Sequence, residues 1–173
     1  MDSGINIIYT YIKTINLIYS VKSINFVLNK KINAMKNQKI YLEHANITVN
    51  DLTNAIRFFQ AAFPHFEIRG EGIYNGRKWV HLGDQDTYLA LNQVHGEINI
   101  KKDYQKTGIN HIGFVVEDVN AIADRLLEQG FERDFPRQEE EFRIREYFTD
   151  KDGNEYEFVQ YLSTIPEEKN LYA

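Results

Sequence analysis

Polar and apolar side chains alternate from Glu43 to Asn50, with His44, Asn46 and Thr48 on one face and Ala45, Ile47 and Val49 on the other. That period of two predicts a strand with one buried face. The period then changes. Leu52, Ala55, Ile56, Phe59 and Phe63 recur at helical spacing behind Asn50 and Asp51, which supply an N-cap, and Pro64 stops the helix. The same pair of elements returns 67 residues later. His111, Gly113 and Val115 share one strand face, and Ile112, Phe114 and Val116 share the other. Asp118 or Asn120 then caps a helix carrying Val119, Ile122, Ala123 and Leu126, with Gly130 where a C-terminal glycine belongs. The constant offset maps His44 onto His111, Val49 onto Val116 and Asp51 onto Asp118, and it holds through the helix positions. The chain is therefore an internal repeat, which decides the fold before any single element does.

Three shorter strands are expected after each helix: near 66–69, 77–82 and 87–93 in the first copy, and near 131–133, 142–148 and 154–161 in the second. Gly70, Gly72, Gly76 and Gly83 read as turns, and Asp150-Lys151-Asp152-Gly153-Asn154 is strong hairpin chemistry. The organisation is a module at 41–93, a polar linker at 94–109, a second module at 110–163 and a tail at 164–173. Each helix must cover one face of its small sheet, which leaves the histidine face for another purpose. One such module alone would be marginal, so the two are expected to pack as one body.

The first 39 residues do not share this pattern. They hold six lysines and one acid, about +5, which leaves −10 on the remainder of a chain whose net charge is −5. The segment lacks a signal-peptide plan and reads as an extension outside the fold, with Met35 as the natural start. The acidic remainder argues against a nucleic-acid partner. No apolar run of about 18 residues suggests a membrane span. With no cysteine there is neither a disulfide framework nor a thiolate metal site, and a cytoplasmic location fits.

Candidate chemistry converges on the last strand. Its alternation sets Glu155, Glu157 and Val159 on one face and Tyr156 and Phe158 on the other. A carboxylate inside an apolar strand is costly unless it is paired or bound to a metal. If that strand lies beside the one opening at Asn110, Glu157 and His111 face one cleft, and His44 arrives from the other copy by pseudo-symmetry. Two imidazoles and a carboxylate suit a divalent transition metal and leave coordination positions open. The symmetric partner of Glu157 is position 90, which is Ala90, so the protein offers three ligands unless Asn92 or a residue from another strand substitutes. Glu155, nearer the strand start, reads as solvated. His65 and His95 read as structural, whereas Trp79, Arg77, Arg143 and Arg145 serve packing and surface charge as readily as a pocket. Asn46 and Thr48 share the face of His44 and are expected to line the substrate site.

The two His-bearing strands with Asp-capped helices, closed by Asp150-Lys151-Asp152-Gly153-Asn154-Glu155-Tyr156-Glu157, resemble the vicinal oxygen chelate superfamily of glyoxalases, bleomycin-resistance proteins and ring-cleaving dioxygenases. The resemblance covers roughly 41–163. It implies an α+β fold of two paired βαβββ modules in a cupped mixed sheet with helices outside. It also implies His44, His111 and Glu157 as ligands of a divalent metal, Fe(II), Mn, Ni or Zn. Glyoxalase-type members fill the fourth position with a carboxylate that acts as base, which Ala90 cannot do. An extradiol-type dioxygenase is the reaction this ligand set fits best. The alternatives are a glyoxalase-like lyase or isomerase with its base elsewhere, and a metal-free binder of small molecules. His81 and Tyr147 are the candidates for an added acid or base, and a homodimer acting on a small molecule is expected.

Overall fold

The computed structural model describes residues 23–25, 41–96, 104 and 107–171. The chain divides between Tyr41 and Leu42. The first unit is described only at 23–25, which are helical, and at Tyr41, so the expected extension lies almost wholly outside the described residues, as does much of the linker. No helix among the described residues is long and apolar enough to cross a membrane.

From Leu42 onward the fold is α+β, with two cupped mixed sheets. The first holds β1 (His44–Val49), β2 (Glu67–Tyr74), β3 (Arg77–Gly83) and β4 (Tyr88–Gln93) in the order β1-β4-β3-β2. The second holds β5 (His111–Val115), β6 (Glu132–Arg133), β7 (Gln138–Glu140), β8 (Arg143–Thr149) and β9 (Glu155–Tyr161) in the order β5-β9-β8-β6, with β7 also on β8. In both sheets the first strand runs parallel to the last, and the other pairs are antiparallel. Register carries the repeat into three dimensions. His44 lies opposite Tyr88 and Asn46 opposite Ala90, just as His111 lies opposite Glu155 and Gly113 opposite Glu157.

The helices α1 (Leu52–Ala62) and α2 (Val119–Glu128) start where their caps dictate. Asp51 accepts from the Thr53 amide, and Asp118 from those of Asn120 and Ala121, satisfying donors that the first turn leaves unpaired. One difference from the sequence reading concerns the glycines. Gly70 and Gly72 lie inside β2 and Gly83 inside β3, because β2 and β3 stay paired as far as Tyr74 opposite Arg77. The turn itself is only Asn75 and Gly76, both at positive φ, the backbone a tight two-residue hairpin requires. The other differences are β7 and a short α3 (Pro166–Lys169), both too short and polar for periodicity to reveal.

A single core joins the modules. Phe58 and Phe59 of α1 are fully buried, with ring centroids 5.1 and 4.9 Å from Tyr156 of β9. Burying one such side chain contributes about 2–3 kcal/mol. Arg125 of α2 donates to the carbonyls of Ala61 and Ala62, at 2.6 and 2.8 Å, and so closes the C-terminal end of α1. The inward faces of both sheets, through residues such as Leu82, Leu91, Phe148 and Phe158, meet this core. Both histidine-bearing faces are left outside it.

Candidate metal centre

His111 opens β5 and is held at both ring nitrogens. Its Nδ1 lies 3.0 Å from the Tyr104 hydroxyl and 3.3 Å from Glu155 Oε1, while Tyr104 itself donates to Glu155 at 2.6 Å. The carboxylate thus favours the proton on Nδ1 and leaves Nε2 as the free lone pair. That Nε2 lies 3.1 Å from Glu157 Oε2. Gly113 lies opposite Glu157 in register, and a Cβ there would come into van der Waals contact with Glu157 Oε2 at 3.4 Å. On its other oxygen Glu157 accepts from the Tyr147 hydroxyl at 2.7 Å, and the Arg145 guanidinium is 3.9 Å away.

Burial first, and then the bond to Glu157, push Tyr147 up to about 12. It therefore stays protonated and donates, which argues against its use as a base. Burial, reinforced by the Asp134 carboxyl beside it, raises Glu155 above the ordinary carboxylate range. Tyr104 is likewise raised, by desolvation and by its bond to Glu155. The expectation of a solvated Glu155 is corrected here: its side chain is 4 % exposed. It orients His111. Alternation had already set Glu155 beside Glu157, but no signal in the linker pointed to Tyr104, and Asp134 lies in a connection with no periodicity.

A lone pair on imidazole and a carboxylate oxygen facing each other at 3.1 Å need a cation or a proton between them. Ligands around a divalent ion with bonds of about 2.0–2.2 Å stand roughly 3 Å apart. The pair therefore fits a metal such as Mn, Fe, Ni or Zn.

His44 is not part of that pair. It opens β1 on the other sheet, with Nδ1 3.0 Å from Glu43 and its ring stacked on Tyr88 at 4.7 Å. Like His111, it has Nδ1 engaged by a carboxylate. Among the described residues of one chain, no three His, Cys, Asp or Glu side chains gather as a metal cluster. The structure thus brings His111 and Glu157 together and leaves His44 on a separate face. Asn46 and Thr48 stand exposed beside His44, and Asn46 accepts from Asn92 at 2.9 Å, which occupies the side chain that could have replaced the missing carboxylate. Tyr88 occupies the place of Glu155 and Ala90 that of Glu157. His81, opposite Ala90, lies between Trp79 and Tyr88 at 4.8 Å from each, on the His44 face. Arg145 pairs with Glu140 through one guanidinium nitrogen, as surface charge would explain, and brings the other to 3.9 Å from Glu157 Oε1.

Residues 41–158 match the model of the Glyoxalase/Bleomycin resistance protein/Dioxygenase superfamily. The chain is 24% identical over 138 residues to the metallothiol transferase FosB of Lysinibacillus sphaericus (strain C3-41), covering 76% of this chain and 88% of that protein. Among solved structures it resembles a glyoxylase/bleomycin resistance protein/dioxygenase domain from Frankia sp. EAN1pec, with TM-score 0.62, 20% identity, and 74% and 96% of the two chains covered. It also resembles a mutant of the fosfomycin resistance protein FosX from Listeria monocytogenes complexed with Mn(II) and 1S,2S-dihydroxypropylphosphonic acid, with TM-score 0.58, 19% identity, and 77% and 100% covered.

Proposed function

The chain belongs to the Glyoxalase/Bleomycin resistance protein/Dioxygenase superfamily, and from that membership we propose that it is a divalent-metal enzyme acting on a small, oxygen-rich acid. The observation that carries this reading is the His111 Nε2 to Glu157 Oε2 pair at 3.1 Å, with Tyr147 and Arg145 beside it. His111, Glu157 and His44 of the partner subunit would hold the ion. When bound, the ion supplies Lewis acidity to two neighbouring substrate oxygens. Tyr147 keeps Glu157 oriented, Glu155 and Tyr104 fix the tautomer of His111, and Arg145, anchored by Glu140, keeps its other guanidinium nitrogen beside Glu157 as a contact for an anionic substrate. Asn46 and Thr48 line the opposite wall.

The case for a homodimer rests on incompleteness. Each chain presents one half-site per outer face, and β1 and β5 are both open sheet edges, with Val115 of β5 72% exposed. Two copies related by a two-fold axis would join each His44 to the other chain's His111 and Glu157.

Opening of an epoxide-bearing phosphonate is the reaction this arrangement supports best: a thiol or water forms a bond to one ring carbon, the C–O bond to that carbon breaks, and the ring oxygen takes up the proton the nucleophile loses and becomes a hydroxyl on the neighbouring carbon. Extradiol-type oxygen insertion is the second reading, favoured by the three-ligand set. A glyoxalase-like isomerase lacks its base at Ala90. The test loads the purified chain with Mn(II), measures metal content, and follows fosfomycin with a thiol panel by phosphorus NMR. A new phosphonate signal that disappears in His111→Ala is expected. Unchanged fosfomycin together with oxygen uptake on catechols after Fe(II) loading would select the second reading. Absence of stoichiometric metal, with ligand binding indifferent to His111→Ala, would instead identify a metal-free binder.

A further inference from the structure

Two glycines inside a strand call for a reason, since glycine there weakens pairing and offers nothing to pack. Gly70 and Gly72 of β2 have one: the indole of Trp79 lies across both. A Cβ at position 72 would stand 3.0 Å from Cζ2 and 3.1 Å from Cε2 and Nε1 of Trp79, and one at position 70 would stand 3.7 Å from Cζ3 and 3.8 Å from Cη2. Those atoms span the ring from its nitrogen to its far edge, so one face of the indole rests on bare backbone. Trp79 remains only partly buried.

This indole ends a series of rings that begins at His44. Tyr88 stacks on His44 at 4.7 Å, His81 lies 4.8 Å from Tyr88, and Trp79 lies 4.8 Å from His81. The Arg69 guanidinium sits 4.6 Å over Tyr88 and brings positive charge to the same surface. Ala90 contributes only a methyl group where the repeat would set a carboxylate, so the surface between His44 and Trp79 is lined by rings and amides.

The structure assigns Trp79 as a specificity-determining residue: the substrate carries a flat aromatic group that stacks on the indole while its oxygens reach the metal centre. The assignment rests on the metal-site reading above, in which His44 faces the same cleft. An indole offers a large, rigid π-face, and holding one side flat against glycine turns the opposite side toward a planar ligand.

The Mn(II)-loaded full chain is titrated with 2-naphthylphosphonate and with pentylphosphonate, which share a head group and are of comparable apolar size. Binding is followed by heat and by the emission of Trp79, the only tryptophan in the sequence. The naphthyl compound should bind roughly three- to tenfold more tightly and change the emission. Gly72→Ala, whose Cβ displaces the indole, and Trp79→Leu should each abolish that preference by weakening naphthyl binding more than pentylphosphonate binding. Equal affinity of the native chain for the two compounds overturns the assignment whether or not the variants fold, as does naphthyl binding that leaves the emission unmoved. A preference that survives in both variants also overturns it. If the preference persists without Mn(II) and in His111→Ala, the stack stands and the metal reading falls; equal but metal-dependent binding gives the reverse. Binding of neither compound counts against both.

Discussion

Glu155 and Glu157 are two positions apart on one strand face and do different work. Glu155 is buried against Tyr104 and the Nδ1 of His111, so its charge is spent on holding a ring. Glu157 keeps one oxygen for Tyr147 and turns the other toward His111 Nε2. Partners of a metal ligand typically tune affinity by about 10–100-fold. Tyr147→Phe should therefore weaken Mn(II) binding by about tenfold while the ring, packed near Phe135 and His111, keeps the fold. A calorimetric titration of the variant checks this, and an affinity equal to wild type would remove Tyr147 from the site. Asp84 is the residue whose titration couples most simply to stability. Amide donation, chiefly from Thr87, holds its carboxyl below the ordinary range against the opposing effect of burial. A depressed folded value means that its contribution is present above the unfolded value and is lost as pH falls through the folded one. The stability difference between wild type and Asp84→Ala should thus be constant above about pH 5 and shrink as pH falls below the ordinary carboxylate value of about 4. Because the side chain is 38% exposed, solvent screening limits that difference to about a few tenths of a kcal/mol. Denaturant melts across that range measure it.

At the level of elements, caps and close approaches set boundaries. Asp118 accepts two first-turn amides of α2, so Asp118→Ala should cost about 1 kcal/mol, read from urea unfolding. Gly83 ends β3 where β4 turns back: a Cβ there would lie 2.2 Å from the Thr87 carbonyl oxygen and 2.5 Å from the Tyr88 Cα. Those contacts are backbone and cannot give way, so Gly83→Ala should lose about 2 kcal/mol or more, or fail to accumulate as folded protein. The turn before β9 is specified by Asp150, whose Oδ1 accepts from the amides of Asp152 and Asn154. Its neighbour Asp152 reaches across to the Asn50 amide and side chain, at 3.0 and 2.9 Å. The residues that make this hairpin legible in sequence also lock the second module to the end of β1 in the first.

For the whole molecule, the shared core has a consequence for function. Phe58, Phe59 and Phe63 of the first module pack on Tyr156, Phe114 and Phe158 of the second, so the helix sides of both sheets are committed to each other. The histidine sides are left uncovered by the other module. If each complete site takes His44 from one chain and His111 with Glu157 from the other, His44→Ala and Glu157→Ala should each abolish tight Mn(II) binding. Mixing the two variants and refolding them together should restore about a quarter of the wild-type metal content, since half the dimers are mixed and each mixed dimer has one intact site. No recovery, or a monomeric mass by light scattering, would rule the shared site out.

The sequence by itself determined the repeat, the capped helices, the strand faces and the identity of the metal-ligand candidates, because alternation, helical spacing and cap chemistry are local and a constant offset of 67 residues repeats them. It also fixed the absence of a fourth ligand at Ala90. Only the tertiary structure decided which side of each sheet meets the other module, since alternation separates two faces without saying which is shared. That choice set His44 apart from His111 and Glu157. It also buried Glu155 and brought in Tyr104 from a linker without periodicity. Glycines that read as turns became strand positions for the same reason: Gly70 and Gly72 answer to Trp79 on the neighbouring strand, and a contact made across strands leaves no mark on the spacing along either one.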